Sequence, residues 1–380
     1  MTLTPCGATD REAAQSACDI LVVGGGPAGS SAALAAAREG ARVVVVDRRR
    51  VIGVPVQCAE YIPTMLLNEV ELDRDVLVQP IRAMKTLLPG CQPEEMPAPG
   101  YTIRRDRFDQ RLAASAEQAG ARFLLATAAV ERRDAHTVEL KHKTGSRLLL
   151  KAKIIIGADG PRSTVAKWAG VVQRNLIPAV QARVALAQPM DATEVYLEPA
   201  FCAGYGWLFP KGREANAGLG FKLLRGADPS PRRLLELFLE RLQTDGKIKG
   251  PVISYQAGWI PVEPVRTSVF GNTLLVGDAA GQAHPITGAG ILSAVMCGKM
   301  AGQWAARAVR EKDHGLLQRY EDEWREFFGE TLDRASRRRR FMEANWSHFN
   351  EIIKSSWIAY RDYYAEAAPN AGRGQAHQLE

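Results

Sequence analysis

The residues with the most reactive side chains stand in a loop punctuated by proline and glycine. Its sequence is IGVPVQCAEYIP, residues 52–63, and it places the thiol of Cys58 two residues before the carboxylate of Glu60. A thiol near a carboxylate can act in acid–base or redox chemistry, bind a metal, or only shape a pocket. The loop alone leaves these interpretations open.

The other reactive side chains do not form a recognisable metal site or hydrolase triad. The six cysteines lack the paired spacing of zinc ligands and of disulfide-rich domains, so we expect reduced thiols and no metal site. The sequence also has no G-x-S-x-G motif. His284 and Pro285 lie in a loop of small residues, and because no second metal ligand stands near His284 we expect it to line a pocket. With Cys58 and Glu60 they are the candidate catalytic residues.

The elements that would position a nucleotide begin near the N-terminus. The stretch CDILVVGGGPAGSSAALAAAREGARVVVVD predicts a strand, a glycine turn, a helix of small residues and a second strand ending at Asp47. Gly24 permits the tight turn, Gly26 lets backbone N–H groups approach a pyrophosphate, and Gly29 lets the helix pack closely on the sheet. Asp47 stands where a carboxylate can accept hydrogen bonds from a ribose. This pattern predicts a dinucleotide site but does not distinguish NAD from FAD.

Two later segments favour FAD. KAKIIIGADGPRST is an apolar strand that ends before Asp159, and NTLLVGDAAGQAHPITGAGI is another that ends before Asp278. Carboxylates at the carboxyl ends of sheet strands lie where open α/β sheets bind ligands. Asp278 would suit the hydroxyl groups of an extended FAD, and Gly288 and Gly290 would bring backbone N–H groups near the isoalloxazine. We therefore predict FAD as the cofactor.

These motifs together resemble a known group of flavoproteins. The glycine turn, the R-x-x-F-D at 105–109, the G-A-D-G at 157–160 and the G-D-A-A-G…P-x-x-G-x-G-I at 277–291 resemble FAD-dependent oxidoreductases of the aromatic-hydroxylase fold. PVQCAE at 55–60 and GYGWLFPKG at 204–212 are similar to the geranylgeranyl reductase branch of that group. Proteins of this branch are also similar to the flavoprotein that hydroxylates a peptidyl tryptophan during quinohaemoprotein amine dehydrogenase maturation. The resemblance adds Arg105 and Asp159 to the expected cofactor-binding residues.

The resemblance implies an α/β fold with a Rossmann-type FAD-binding domain, an inserted mixed β-sheet substrate domain and a C-terminal helical region. We expect the FAD-binding domain in residues 18–75, 104–174 and 266–315, and the substrate domain in 76–103 and 175–265. In those last two ranges the sequence has strand-like alternation and turn residues rather than helix caps. The helical region is expected at 316–368, with a flexible tail after Ala368.

Aromatic residues outside the cofactor motifs have two interpretations each. Tyr205, Trp207 and Phe209 share one side of a predicted strand, so they form either a core stripe or the wall of a substrate pocket. The aromatic residues spaced between Trp346 and Tyr364 predict an apolar helix face. That face either packs on the body of the protein or docks a large partner or membrane, helped by the basic cluster 337–340.

Composition sets broader limits. The chain has 380 residues, 46% of them hydrophobic and 24% charged, with a formal net charge of +7 and a pI near 9.1. Basic residues mostly alternate with acidic ones, and we expect no nucleic-acid partner. No apolar run is long enough to span a membrane, and the first residues lack the order of a signal peptide, so we expect a cytoplasmic protein.

Three functions fit these residues. The one we favour is monooxygenation, the hydroxylation of an aromatic substrate, which can be a tryptophan side chain of a partner protein. The alternative is reduction of a prenyl double bond, which needs a long apolar groove, a proton donor such as Cys58 with Glu60, and possible contact with a membrane. A non-enzymatic flavin-binding electron-transfer protein is the third. Both reactions require an external reductant or NAD(P)H.

Overall fold

The computed structural model describes residues 17–173, 175–223 and 230–365. The strands, in chain order, are β1 (Ala17–Val23), β2 (Val43–Val46), β3 (Tyr61–Pro63), β4 (Leu77–Leu87), β5 (Glu94–Ile103), β6 (Arg122–Leu124), β7 (Thr127–Arg132), β8 (Thr137–His142), β9 (Arg147–Gly157), β10 (Leu176–Leu186), β11 (Ala192–Tyr196), β12 (Tyr205–Lys211), β13 (Glu214–Gly220), β14 (Ile248–Pro261), β15 (Val269–Phe270) and β16 (Thr273–Leu275). The α-helices are α1 (Pro27–Arg38), α2 (Arg105–Gln118), α3 (Thr164–Trp168), α4 (Pro231–Thr244), α5 (Ile291–Glu311), α6 (Gln318–Ala344) and α7 (Phe349–Ser356). Short 3-10 helices span Thr64–Asn68, Gly277–Ala280, His314–Leu317, Trp346–His348 and Arg361–Tyr364.

The first sheet has the order β15-β16-β9-β1-β2-β6, in which the strands from β16 to β6 pair in parallel and β15 pairs antiparallel with β16. Strands β8 and β7 extend it from β9. Ile20 of β1 pairs with Val43 of β2 on one side and with Ile154 of β9 on the other. These strands are continuous apolar runs because both faces of a central parallel sheet are covered. Helices α1 and α5 cross closely on one face, since an added side chain at Gly298 would lie 2.3 Å from the carbonyl oxygen of Ala28.

The second sheet is mixed, in the order β14-β10-β13-β12-β11-β4-β5-β3. Strands β4 and β11 pair in parallel, whereas β10, β13 and β12 form an antiparallel centre. The short strand β3 joins this sheet through β5, so its members come from residues 61–63, 77–103 and 176–261. The predicted fold class is confirmed, whereas the predicted division into alternating domain segments stays a prediction.

Helix α4 lies within residues 175–265, where strands and turns were expected throughout, so that expectation is wrong for this segment. The hydroxyl of Ser230 accepts a hydrogen bond from the backbone N–H of Arg233, and Pro231 occupies the first turn, so the start carries ordinary helix signals. One apolar face of α4 packs against the second sheet and buries Leu234, Leu235, Phe238, Leu239 and Leu242. The side chains follow helical spacing, which the strand-like flanking sequence concealed.

The C-terminal helices pack on the body of the protein. Trp357 is 2% exposed, and its indole N–H donates to Thr86 Oγ1 at 2.9 Å. The aromatic residues do not share one helix, because α6 ends at Ala344 and α7 at Ser356, which leaves Trp357, Tyr360 and Tyr364 in turns and a 3-10 helix. The packing interpretation of this face therefore fits the structure better than the docking interpretation.

The expected basic surface at residues 337–340 is only half present, because Arg337 and Arg340 are exposed whereas Arg338 and Arg339 are buried. The Arg338 side chain is buried and donates to the carbonyl oxygens of Asp362, Tyr363 and Ala365. The Arg339 side chain is buried as well and faces the loop that follows β16. Arg338 therefore fixes the C-terminal turns, and Arg339 fixes the loop that contains Pro285.

In the part of the chain that the structure describes, no helix is both long and apolar enough to cross a membrane. The expectations about the first residues and about the tail after Ala368 lie outside the described residues.

Candidate functional site

The glycine turn after β1 has the geometry of a phosphate cradle. Gly24 has φ +101°, and an added Cβ would lie 2.3 Å from the carbonyl oxygen of Ala158. An added Cβ at Gly29 would lie 1.8 Å from the carbonyl oxygen of Gly24, so only glycine lets α1 approach the turn this closely. At Gly26 an added Cβ would meet no atom within 4 Å, which leaves open space in front of the helix N-terminus.

Asp47 is fixed beside this turn. Its Oδ2 accepts a hydrogen bond from the backbone N–H of Gly25 at 2.8 Å, and its Oδ1 accepts one from the N–H of Arg49 at 2.7 Å. Each carboxylate oxygen keeps acceptor capacity, because a carboxylate offers about four lone-pair positions. The carboxylate is therefore oriented by the chain and still able to accept ribose hydroxyl groups.

The two other predicted cofactor carboxylates differ in how they are used. Asp159 Oδ2 accepts from the backbone N–H groups of Thr164 at 2.6 Å and Val165 at 3.3 Å, and Asp159 also accepts from the Ser163 hydroxyl, so it caps α3. Asp278 makes no side-chain hydrogen bond to any described residue. Burial raises the pKa of Asp278 to about 6, and the charge of Arg105 opposes that rise. A half-buried carboxylate whose oxygen atoms accept no hydrogen bond from the described residues fits a ligand with hydroxyl groups.

Arg105 opens α2 and connects the cofactor residues to the Cys58 loop. Its guanidinium makes a bidentate ion pair with Asp109, with Nε at 2.8 Å from Oδ1. Its backbone N–H donates to Glu60 Oε1 at 2.9 Å. The Arg105 side chain is thereby held near Asp278, where its charge offsets part of the rise in the pKa of Asp278 that burial causes.

Glu60 is the centre of the contacts made by the Cys58 loop. Its carboxylate is buried, and its Oε2 accepts from Lys211 Nζ at 2.6 Å and from Asn216 Nδ2 at 2.9 Å. The residue has φ +68°, which turns its backbone N–H back onto Cys58 Sγ at 3.2 Å. A non-glycine residue in this region costs about 1–3 kcal/mol, and the three side-chain contacts of Glu60 hold it there.

The aromatic residues of β12 face the same loop. The Trp207 indole covers Gly218, where an added Cβ would lie 2.4 Å from the ring. Trp207 is buried, whereas Tyr205 and Phe209 are half-buried. The neighbouring residue on this face, Gln181 of β10, donates to the carbonyl oxygen of Cys58 at 2.8 Å. The stripe is thus packed and still adjoins the Cys58 loop.

The loop 284–290 lies at the Tyr205 end of this stripe. The Tyr205 hydroxyl donates to the carbonyl oxygen of Thr287, and its ring packs edge-on against Trp357 with centroids 5.0 Å apart. Burial raises the pKa of Tyr205. Gly288 has φ +68° and adjoins the same hydroxyl. Gly290 immediately precedes α5, and an added Cβ there would lie 3.6 Å from Asp278 Oδ1.

His284 and Pro285 are held by backbone contacts. His284 Nδ1 accepts from the backbone N–H of Thr287 at 3.2 Å, and burial lowers the pKa of His284 to about 4. The ring is therefore neutral near pH 7. The carbonyl oxygen of Pro285 accepts from Arg339 Nη1 at 3.2 Å, while Arg339 Nε donates to Glu343 Oε1 at 2.8 Å.

Comparison with known proteins identifies the family of proteins that share this site. Residues 19–175 match the family described as FAD dependent oxidoreductase. The chain is 34% identical over 340 residues to digeranylgeranylglycerophospholipid reductase 2 of Methanococcoides burtonii, which covers 83% of this chain and 82% of that protein. The protein of the same name from Methanopyrus kandleri is also 34% identical, over 89% of this chain and 90% of its own length.

The chain belongs to the family of FAD-dependent oxidoreductases that includes these reductases. FAD is its cofactor, as predicted. A solved structure of a geranylgeranyl bacteriochlorophyll reductase-like protein from Thermoplasma acidophilum has a TM-score of 0.78 and 30% identity, covering 87% of this chain and 90% of that one.

These relatives correct the favoured function. Hydroxylation of an aromatic substrate was the preferred prediction, and it is wrong because the similar curated proteins are named as reductases. These relatives do not support the similarity to the peptidyl-tryptophan hydroxylase. They do not support a polypeptide substrate either. The relatives of this FAD-dependent oxidoreductase are named as enzymes, which argues against the non-enzymatic alternative.

Sequence analysis missed four residues that organise the site of this oxidoreductase. They are Gln181, Lys211, Asn216 and Arg339. Lys211 had a usable signal, because it continues the alternation of Tyr205, Trp207 and Phe209 onto the same face. The other three carry no local signal, since each acts on a loop that is distant in sequence.

Proposed function

We propose that the protein reduces prenyl double bonds of a glycerophospholipid. The observation that carries this proposal is the similarity to digeranylgeranylglycerophospholipid reductases at 34% identity over most of both chains. The resemblance to the geranylgeranyl bacteriochlorophyll reductase-like protein supports a prenyl substrate from an independent direction.

The residues present fit FAD. The open space at Gly26, the oriented carboxylate of Asp47 and the unpartnered carboxylate of Asp278 would hold it. FAD held there would supply a hydride once an external reductant or NAD(P)H had reduced it. The chain has to orient the lipid, exclude water and provide a proton for the second carbon of the double bond.

Cys58 is the proton donor in this proposal. Its Sγ accepts a hydrogen bond from the backbone N–H of Glu60 at 3.2 Å, which fixes the position of the thiol within the loop. Solvent then returns a proton to the thiolate, so each cycle adds one hydride and one proton to the double bond. The charges balance without a further co-reactant.

The other candidate catalytic residues act as positioning groups. The Glu60 carboxylate accepts hydrogen bonds from a lysine, an asparagine and a backbone N–H, so the chain itself uses its oxygen atoms. His284 is neutral at pH 7 and accepts with Nδ1 from its own loop, which sets the shape of 284–288. Pro285 contributes a carbonyl oxygen that ties the loop to α6.

Anaerobic turnover tests the proposal. The FAD-loaded protein is reduced with dithionite and mixed with digeranylgeranylglycerophospholipid under argon, and the lipid is analysed by mass spectrometry. We expect mass gains in steps of two hydrogens in water and two deuterium atoms in heavy water, because the reduced flavin N–H and the thiol both exchange with solvent. An unchanged lipid mass after complete reduction of the flavin would contradict the proposal.

A further inference from the structure

A cavity of about 500 Å³ lies beside the Cys58 loop, where the N-terminus of α2 meets the turn between β12 and β13. Five basic side chains line it: Arg104, Arg107, Arg183, Lys211 and Arg213. The acidic residues in its wall are Asp106 and Glu214. Cationic side chains therefore outnumber anionic ones by five to two, which gives the cavity a net positive charge.

Three of these guanidinium groups have no counter-charge within the described residues. Lys211 is paired with Glu60 at 2.6 Å, and Arg183 Nε lies 2.9 Å from Glu214 Oε2. The side chains of Arg104, Arg107 and Arg213 make no ion pair or hydrogen bond with described residues, and all three are exposed to the cavity and to solvent. Like charges grouped around a concave surface repel each other unless an anion lies between them.

We propose that this cavity binds a phosphate group of a ligand. Guanidinium groups offer paired N–H donors that match phosphate oxygens, and three unpaired ones around a single cavity can surround such a group. The volume lies within the range of small-molecule sites, about 300–1,000 Å³, which is more than an inorganic phosphate needs. The cavity therefore takes a phosphate that is part of a larger molecule.

The position of the cavity fits an amphiphilic ligand. Along one face of β12 the side chains are aromatic at 205, 207 and 209 and cationic at 211, where the cavity begins. A strand rises about 3.3 Å per residue, so the aromatic and cationic ends of this face are roughly 20 Å apart. A lipid with its phosphate in the cavity could extend its apolar chain along the aromatic residues towards the loop 284–290.

The phosphate can come from the lipid head group or from a nucleotide reductant. The first source rests on the proposed function and the second does not, although both share the chemistry that the guanidinium groups recognise. The Lys211–Glu60 pair connects either ligand to Cys58, because Lys211 is both a wall of the cavity and a partner of the Cys58 loop.

Binding to the FAD-loaded protein tests this inference without turnover. Inorganic pyrophosphate is titrated calorimetrically into the wild type, into Arg107→Ser/Arg213→Ser, and into Arg319→Ser, whose exposed side chain lies outside the cavity. We expect the double variant to bind at least tenfold more weakly, and the control to change less than twofold. Equal affinity in all three proteins, or no saturable binding to the wild type, would overturn the inference.

Competition identifies the source of the phosphate. Displacement of pyrophosphate by dihexanoyl phosphatidic acid assigns the cavity to the lipid head group, and displacement by 2′,5′-ADP assigns it to a nucleotide reductant. Displacement by neither compound would overturn the inference. Because no step measures reduction, loss of pyrophosphate binding leaves the proposed reductase activity standing, and a failed turnover assay leaves the cavity site standing.

Discussion

Lys211 Nζ lies 2.6 Å from Glu60 Oε2, and this ion pair joins the second sheet to the loop that carries Cys58. The two side chains are 14% and 3% exposed, so the pair is shielded from solvent. Removing one member of a buried pair leaves the other charge without compensation, which costs more than the pair itself contributes. The position of Cys58 therefore depends on a contact between residues that are 151 positions apart in sequence.

Lys211→Met should unbalance this pair. We expect the free energy of unfolding to fall by about 3 kcal/mol, measured by urea denaturation of the FAD-loaded protein. The double variant Lys211→Met/Glu60→Gln should recover part of that loss, because no unpaired carboxylate remains. A single variant within about 0.5 kcal/mol of the wild type would show that the pair does not hold the loop.

Gly29→Ala should prevent FAD binding. The added Cβ would lie 1.8 Å from the carbonyl oxygen of Gly24, so α1 would have to move away from the turn. We expect the variant to be purified without yellow colour and to bind added FAD at least a hundredfold more weakly, as measured by flavin fluorescence quenching. Gly329→Ala is the matched control, since its Cβ would lie 3.6 Å from Arg325 Cβ in ordinary contact. Normal FAD content in Gly29→Ala would refute the proposed cradle.

The nucleotide end of the site could be predicted because its signals are contiguous. Gly24, Gly29 and Asp47 fall within one strand–helix–strand unit, and the chain geometry of that unit fixes where each of them lies. Asp159 was harder to interpret, because a carboxylate at a strand end can face a ligand or cap the next helix. In this structure Asp159 Oδ2 accepts hydrogen bonds from backbone N–H groups of α3, so the carboxylate caps that helix.

The catalytic end could not be predicted in the same way. Arg339 belongs to a run of four arginines, which in sequence looks like a solvated surface, and only the packing of α6 reveals that it faces Pro285. The side-chain partners of Glu60 lie on β12 and β13, which are neighbouring strands of the second sheet but far from Glu60 in sequence. Such contacts depend on tertiary packing between distant segments, and no local pattern encodes that packing.

His284 should make stability depend on pH. Its pKa is about 4 in the folded protein and about 6.5 in the unfolded chain, so the unfolded chain binds the proton more readily. Stability is therefore retained above pH 6.5 and lost as pH falls towards 4. Asp278, with its pKa raised to about 6, acts in the opposite direction, so the comparison has to be made with a variant.

His284→Gln removes the part of the pH dependence of stability that comes from the histidine and leaves the part that comes from Asp278. Between pH 6.5 and pH 4 the free energy of unfolding should fall by about 2 kcal/mol more in the wild type than in the variant. This value is smaller than the full pKa shift implies because the ring has partial contact with solvent. Urea denaturation at a series of pH values measures the difference. Parallel pH profiles for the two proteins would contradict a buried neutral imidazole.

Arg339→Leu should weaken the connection between α6 and the loop 284–290. It removes the donor to the Pro285 carbonyl oxygen and one of two cationic partners of Glu343, which keeps Lys222, and we expect a loss of about 1–3 kcal/mol in the free energy of unfolding. Arg337→Leu is the control, because Arg337 is exposed and makes no ion pair with the described residues. Equal thermal denaturation midpoints for the two variants would show that Arg339 does not anchor the loop.

Cys58→Ala tests the proton donor directly. General acid catalysis contributes about 10²–10⁴-fold, so the rate of double-bond reduction should fall by that factor while FAD content and the flavin spectrum stay unchanged. Cys91→Ala, which removes an exposed thiol of a distant loop, should retain the wild-type rate. A variant that reduces the lipid within threefold of the wild-type rate would assign Cys58 to the shape of the pocket, and the proton would have to come from another group.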